Sequence, residues 1–137
     1  MRPVDNLSLS KLDGATMGPD KEESLMRCLL KVSIAVEAGN AAISDGSLPK
    51  TIDSILSELK PEATYFTDDD GKRTGFIFFD LKEPAQIPAV AEPWFFAFNA
   101  QIELHPAMNL EDLKKATPGI ERAVKNYRRT VRRPPQR

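Results

Sequence analysis

From Cys28 the apolar positions alternate: Cys28, Leu30, Val32, Ile34 and Val36 share one side of the chain, with Lys31 and Ser33 on the other. A period of two over nine residues rich in β-branched types predicts a half-buried strand. The period then lengthens. Residues 38–45 suit a short helical segment broken at Gly46. Leu48, Ile52, Ile55, Leu56 and Leu59 next form a single helical stripe, with Ser47 as N-cap and Pro49 in the first turn, where a missing N–H costs nothing. Pro61 ends that helix.

Ala63–Thr67 and the aromatic run Thr74–Asp80 read as two strands joined by Asp68-Asp69-Asp70-Gly71-Lys72, which carries the Asp-Gly chemistry of a tight turn. The three aspartates do not make a calcium loop, because the spaced ligands and distal Glu of an EF-hand are missing. Ile87, Val90, Ala91, Trp94, Phe95 and Phe98 recur at helical spacing and predict a second helix over 83–98, which Pro93 should kink or restart. Ala100, Ile102 and Leu104 alternate with Gln101, Glu103 and His105 in a fourth strand that stops at Pro106. Asn109 and Asp112 then mark the start of a short helix to about Ala116. Thr117-Pro118 repeats the cap-and-first-turn pattern, followed by the small stripe Ile120, Val124 and Tyr127.

This order is βαββαβ, an α+β ferredoxin-like chain: a four-stranded antiparallel sheet, strands one and three at its centre, helices on one face, with an added C-terminal helix. The domain is expected over 26–127. It lies between a polar leader at 1–25 and a basic tail at 128–137. The side of the sheet away from the helices holds Leu29, Lys31, Ser33, Gln101, Glu103 and His105, plus Phe76 and Phe78 or their neighbours. Such a face is too apolar to stand in water, and a second copy would cover it, giving a C2 homodimer.

The segment from Met26 to about Tyr127 resembles the dimeric α/β-barrel superfamily. The stretch RTGFIFFDLKEPAQIPAVAEPWFFAFNAQIELHPAMNLEDL is similar to a group of small uncharacterised bacterial proteins within it. In that group a Gly-Phe strand precedes a Trp-bearing helix and a strand ending in Glu-x-x-Pro. The resemblance implies two protomers packed sheet to sheet. The superfamily spans cofactor-independent monooxygenases, muconolactone-type isomerases, haem enzymes and members without known catalysis, so it fixes no reaction.

Composition and charge narrow the class. The 137 residues include one Cys, which excludes a disulfide scaffold or a multi-Cys zinc module. No apolar run is long enough to span a bilayer and the N-terminus lacks the apolar stretch of a secretory signal, so a cytoplasmic location is expected. The net charge of −1 hides an asymmetry: from Glu121 onward seven Lys and Arg face one acid, against twelve cations and nineteen acids before it. The basic end could suit nucleic acid. It is short, carries one aromatic and hangs from an acidic body that repels phosphates, which argues against that partner.

The chemistry-bearing candidates are few. His105, the only histidine, lies two residues from Glu103 on one strand face; it is either a proton-handling residue or an idle strand end. Lys31 and Glu103 belong to neighbouring strands on that face, as an ion pair or as groups that polarise a ligand. Tyr65 and Arg73 flank the hairpin, and Tyr65 would line a pocket between sheet and helices or simply pack there. Trp94, Phe95, Phe96 and Phe98 cannot all face one side of a helix; most belong to the core, and one or two, Trp94 and Phe98 foremost, would shape a cavity. Cys28 reads as a small core hydrophobe. No phosphate loop, nucleophile motif or metal motif is present, so no cofactor and no metal are implied. The function expected is a homodimeric binder of a small apolar or aromatic molecule, extending to a cofactor-independent isomerase or monooxygenase-like enzyme. A non-catalytic regulatory or protein-interaction module is the alternative.

Overall fold

The computed structural model describes residues 25–129, so nearly all of the expected leader and basic tail lies outside the described residues. The chain divides into two compact units, one ending at Ala107 and the other beginning at Met108.

The first unit is built on the alternating segment. Strand β1, Met26–Ile34, buries Cys28, Leu30, Val32 and Ile34 to 4% exposure or less. Val36 does not continue the strand. Ala35 (φ −57°, ψ 137°) turns the chain, and Val36 opens helix α1, Val36–Ser44, where it is exposed. An apolar residue in phase with a strand carries no mark of where the strand stops. Helix α2, Ser47–Leu59, follows after an elbow at Asp45-Gly46.

The cap of α2 falls one residue before the expected Ser47. Gly46 holds it with φ 79°, a left-handed conformation that glycine adopts without the Cβ penalty serine would meet. Asp45 closes the elbow by accepting a 2.9 Å hydrogen bond from the Ser47 backbone N–H. The α2 stripe, Leu48, Ile52, Ile55, Leu56 and Leu59, packs half-buried against the core.

Strands β2, Ala63–Asp69, and β3, Lys72–Leu81, form the hairpin. Asp70 and Gly71 both have positive φ (57° and 75°), as a two-residue type I′ turn requires. A short 3₁₀ turn, Pro84–Gln86, leads into helix α3, Ile87–Phe98, which runs through Pro93 without restarting. Strand β4, Gln101–Pro106, completes the sheet in the order β2-β3-β1-β4, every neighbour antiparallel. This is the ferredoxin-like arrangement. Helices α1, α2 and α3 contribute to one core with the even-numbered residues of β1 and the odd-numbered residues Ile77, Phe79 and Leu81 of β3. Trp94, Phe79, Phe98, Leu30 and Ile77 are its largest fully buried side chains, each contributing roughly 1.5–3 kcal/mol by removal from water.

The second unit holds helix α4, Leu110–Tyr127. Its start is a capping box: the Asp112 N–H donates to Asn109 Oδ1 (2.8 Å), and the Asn109 N–H donates to Asp112 Oδ2 (3.0 Å). The expected restart at Thr117-Pro118 does not occur. Pro118 lies inside a single helix, whose good formers on both sides, Leu113-Lys-Lys-Ala and Glu121-Arg-Ala, tolerate the loss of one N–H.

Candidate functional site

Two places in the first unit gather chemistry, one on each side of the sheet. On the side away from the helices, backbone register sets the side chains in rows across all four strands. Tyr65, Phe76, Lys31 and Glu103 stand in one row; Ala63, Phe78, Leu29 and His105 stand in the next. Leu29, Phe76 and Phe78 form a half-buried apolar centre. Polar groups frame it.

Lys31 Nζ makes an ion pair with Asp69 and lies 4.0 Å from Glu103 Oε2. The hydrogen bond to Asp69 is the main reason the Lys31 ammonium titrates above its ordinary value. Glu103 also faces His105, with Oε1 3.2 Å from Nε2. A carboxylate set between an ammonium and an imidazole can orient the ring for proton handling. The His105 side chain is 56% exposed.

On the helix side, a cleft of about 830 Å³ opens between the helices and the β2–β3 hairpin. Ile34, Val36, Leu48, Ile52, Leu56 and Phe66 supply its apolar wall, and Asp53, Asp68, Lys72 and Arg73 its charged groups. Arg73 is held in place. Its Nη2 donates to Asn40 Oδ1 at 3.0 Å, and its Nη1 lies 2.6 Å from where a Cβ on Gly39 would stand, so a side chain at residue 39 would make the guanidinium shift from this position. A smaller cleft of about 240 Å³ lies among α2, α3 and the end of β3.

The sequence candidates divide between these places. Lys31, Glu103, His105 and Tyr65 all stand on the outer sheet face. Tyr65 is 65% exposed there; the hairpin aromatic that lines the cleft is its neighbour Phe66, which points the opposite way. Trp94 and Phe98 are 1% exposed, pack on each other with ring centroids 6.1 Å apart, and line neither cleft. Phe96 on the same helix is 86% exposed. Cys28 is buried, and burial pushes its thiol pKa up, away from nucleophile behaviour.

A pocket between sheet and helices was expected with Tyr65 in its wall; the residues that line the helix-side cleft, Phe66 and Arg73 foremost, were not foreseen. The cleft's one local signal is Gly39-Asn40 inside a helical segment, where a glycine permits close approach and an amide waits beside it. Among the described residues no cluster of three or more His, Cys, Asp or Glu could hold a metal, and no helix is long and apolar enough to cross a membrane. No family model, no curated protein and no solved structure matches this chain, so its function is to be read from its own geometry.

Proposed function

We propose that this chain binds a small, largely apolar molecule in the helix-side cleft, and that it does so as a homodimer paired through the outer sheet face. The observation that carries the binding reading is the cleft itself: about 830 Å³, walled by Leu48, Ile52, Leu56 and Phe66 and bordered by a few charges. That combination of size, apolar wall and sparse polar groups is what small-molecule sites have. The pairing is supported by the apolar centre of Leu29, Phe76 and Phe78, with exposed Tyr65 beside it.

A second copy over that face would enclose Lys31, Glu103 and His105. Enclosure is what a cofactor-independent isomerase or monooxygenase-like role for His105 needs, since a proton-handling residue works best where bulk water is excluded. The non-catalytic alternative, a protein-interaction module, draws on Phe96 and on α4, whose Leu110, Ile120, Val124 and Tyr127 are all exposed.

Titration of ¹⁵N-labelled protein with 1-naphthol tests the binding reading. The expected result is shifted amides at Ile34, Leu48 and Phe66, weakened in Leu56→Trp, whose indole intrudes on the cleft. Shifts confined to other residues, or unchanged in that variant, would refute it. Sedimentation giving a monomer at micromolar concentration would remove the homodimer and the enclosed His105 with it.

A further inference from the structure

We infer that the ligand of the helix-side cleft is an apolar carboxylate, and that Arg73 is the group that receives its acid head. The inference rests on the cleft reading above and adds the chemistry of the ligand. Charge count alone does not choose, because Asp53 and Asp68 balance Lys72 and Arg73. Geometry does. Arg73 is the one charged cleft group whose head is fixed beforehand, by Asn40 on one nitrogen and by the bare backbone of Gly39 under the other.

A guanidinium immobilised before binding loses little freedom when a ligand arrives, and its planar fork of N–H donors fits a carboxylate with two parallel hydrogen bonds. Asn40 engages one nitrogen and leaves donors over. Asp68 stands directly opposite Arg73 in the β2–β3 register, on the same face, yet among the described residues it makes no ion pair with the guanidinium. The positive charge therefore borders an apolar wall without an internal anion in contact. A molecule with an apolar body and a terminal carboxylate satisfies both, its body on Ile52, Leu56 and Phe66 and its head on Arg73.

The glycine makes the case more specific. A Cβ at residue 39 would stand 2.6 Å from Arg73 Nη1 and 3.3 Å from Ile34 Cγ2, so a larger residue there makes the Arg73 head shift and leaves it little room to do so toward Ile34. A helix interior gives up stability by using glycine, and here the return is the position of one guanidinium.

The test compares octanoate, 1-octanol and octylamine by amide shift titration of the full chain. Octanoate is expected to bind at least about ten-fold more tightly than octanol, the worth of one charge-assisted pair. Arg73→Gln should abolish that preference, so that octanoate binds no more tightly than octanol in the same variant. Gly39→Ala should reduce it several-fold, and Arg73→Lys, which keeps charge but not the fork, should retain only part of it. An octanoate preference that survives Arg73→Gln, or octylamine binding tightest, would overturn the inference while leaving the cleft as a binding site. If none of the three probes shifts the cleft amides, the cleft reading fails and this one with it.

Discussion

The ring of Phe66 on β2 lies against Gly75 on β3, its partner in register: Cε1 stands 3.0 Å and Cδ1 3.3 Å from where a Cβ would sit. The glycine is buried although it carries no side chain, while Phe66 remains 54% exposed and forms part of the cleft wall. An aromatic over a cross-strand glycine fills the gap the missing side chain leaves.

Gly75→Ala pushes on that ring from below. Because Phe66 is more than half exposed, it has room to rotate, so stability in urea denaturation should change by no more than about 1 kcal/mol, the span of strand preferences. The cleft should respond more. Phe66 ring resonances are expected to move, and 1-naphthol affinity to fall. A loss above about 3 kcal/mol, of the size of a core truncation, would show that the ring is locked.

Trp94 offers a different test. Its side chain is 1% exposed, and its indole Nε1 is buried without a hydrogen-bond partner. A buried unpaired donor costs about 1–3 kcal/mol. Trp94→Phe removes that donor along with some ring volume, and the two effects oppose each other. The expected cost is below about 2 kcal/mol, against roughly 3–5 kcal/mol for Phe98→Ala, whose cavity has no such compensation. Paired denaturation curves decide it: equal losses in the two variants would mean that Nε1 is satisfied in solution.

These two sites show what sequence alone could and could not reveal. The strand face of β1 was legible because alternation is a local signal, and Cys28, Leu30, Val32 and Ile34 carry it without a break. The Asp70-Gly71 turn and the Asn109–Asp112 cap were legible for the same reason. The lining of the cleft was not, because it depends on parity in one short strand: Tyr65 and Phe66 are adjacent aromatics, and only the pairing of Phe66 with Gly75 decides which one meets the helices. Pro118 misled in the opposite direction. A residue favoured in first turns marks a helix start in sequence, and nothing local says that the neighbouring turns will carry the helix through it.

The elbow between α1 and α2 carries an acid-sensitive contact. The hydrogen bonds from Ser47 hold the Asp45 carboxyl below its ordinary pKa of 3.8. A carboxylate stabilised in the folded state contributes fully above that ordinary value, and its contribution is lost as pH falls through the lowered folded one. The melting temperature of the natural chain should therefore exceed that of Asp45→Ala by a constant margin at pH 5–7 and by less below about pH 3.8. Asp45→Asn keeps an acceptor without the charge, so its margin over Asp45→Ala should be indifferent to acid. A margin for the natural chain that stays constant down to about pH 2 would mean that Asp45 titrates alike in both states.

Lys31 carries the mirror-image dependence at alkaline pH. Its ion pair with Asp69, the first cause, and the nearby Glu103 hold its ammonium above the ordinary 10.5. A cation stabilised in the folded state contributes fully below the ordinary value and loses that contribution as pH rises through the raised one. Lys31→Met keeps an apolar stem beside Phe76 and removes the charge. The melting-temperature difference between the natural chain and this variant should be flat from pH 7 to about pH 10, then shift against the natural chain as pH climbs further. Asp69→Asn should reduce the alkaline shift, since it removes the partner that raises the pKa. High salt should weaken the whole effect, because the pair is open to solvent. If the difference runs parallel through pH 11.5 at low salt, the Lys31–Asp69 pair does not persist in solution, and the outer sheet face presents a free ammonium to whatever covers it.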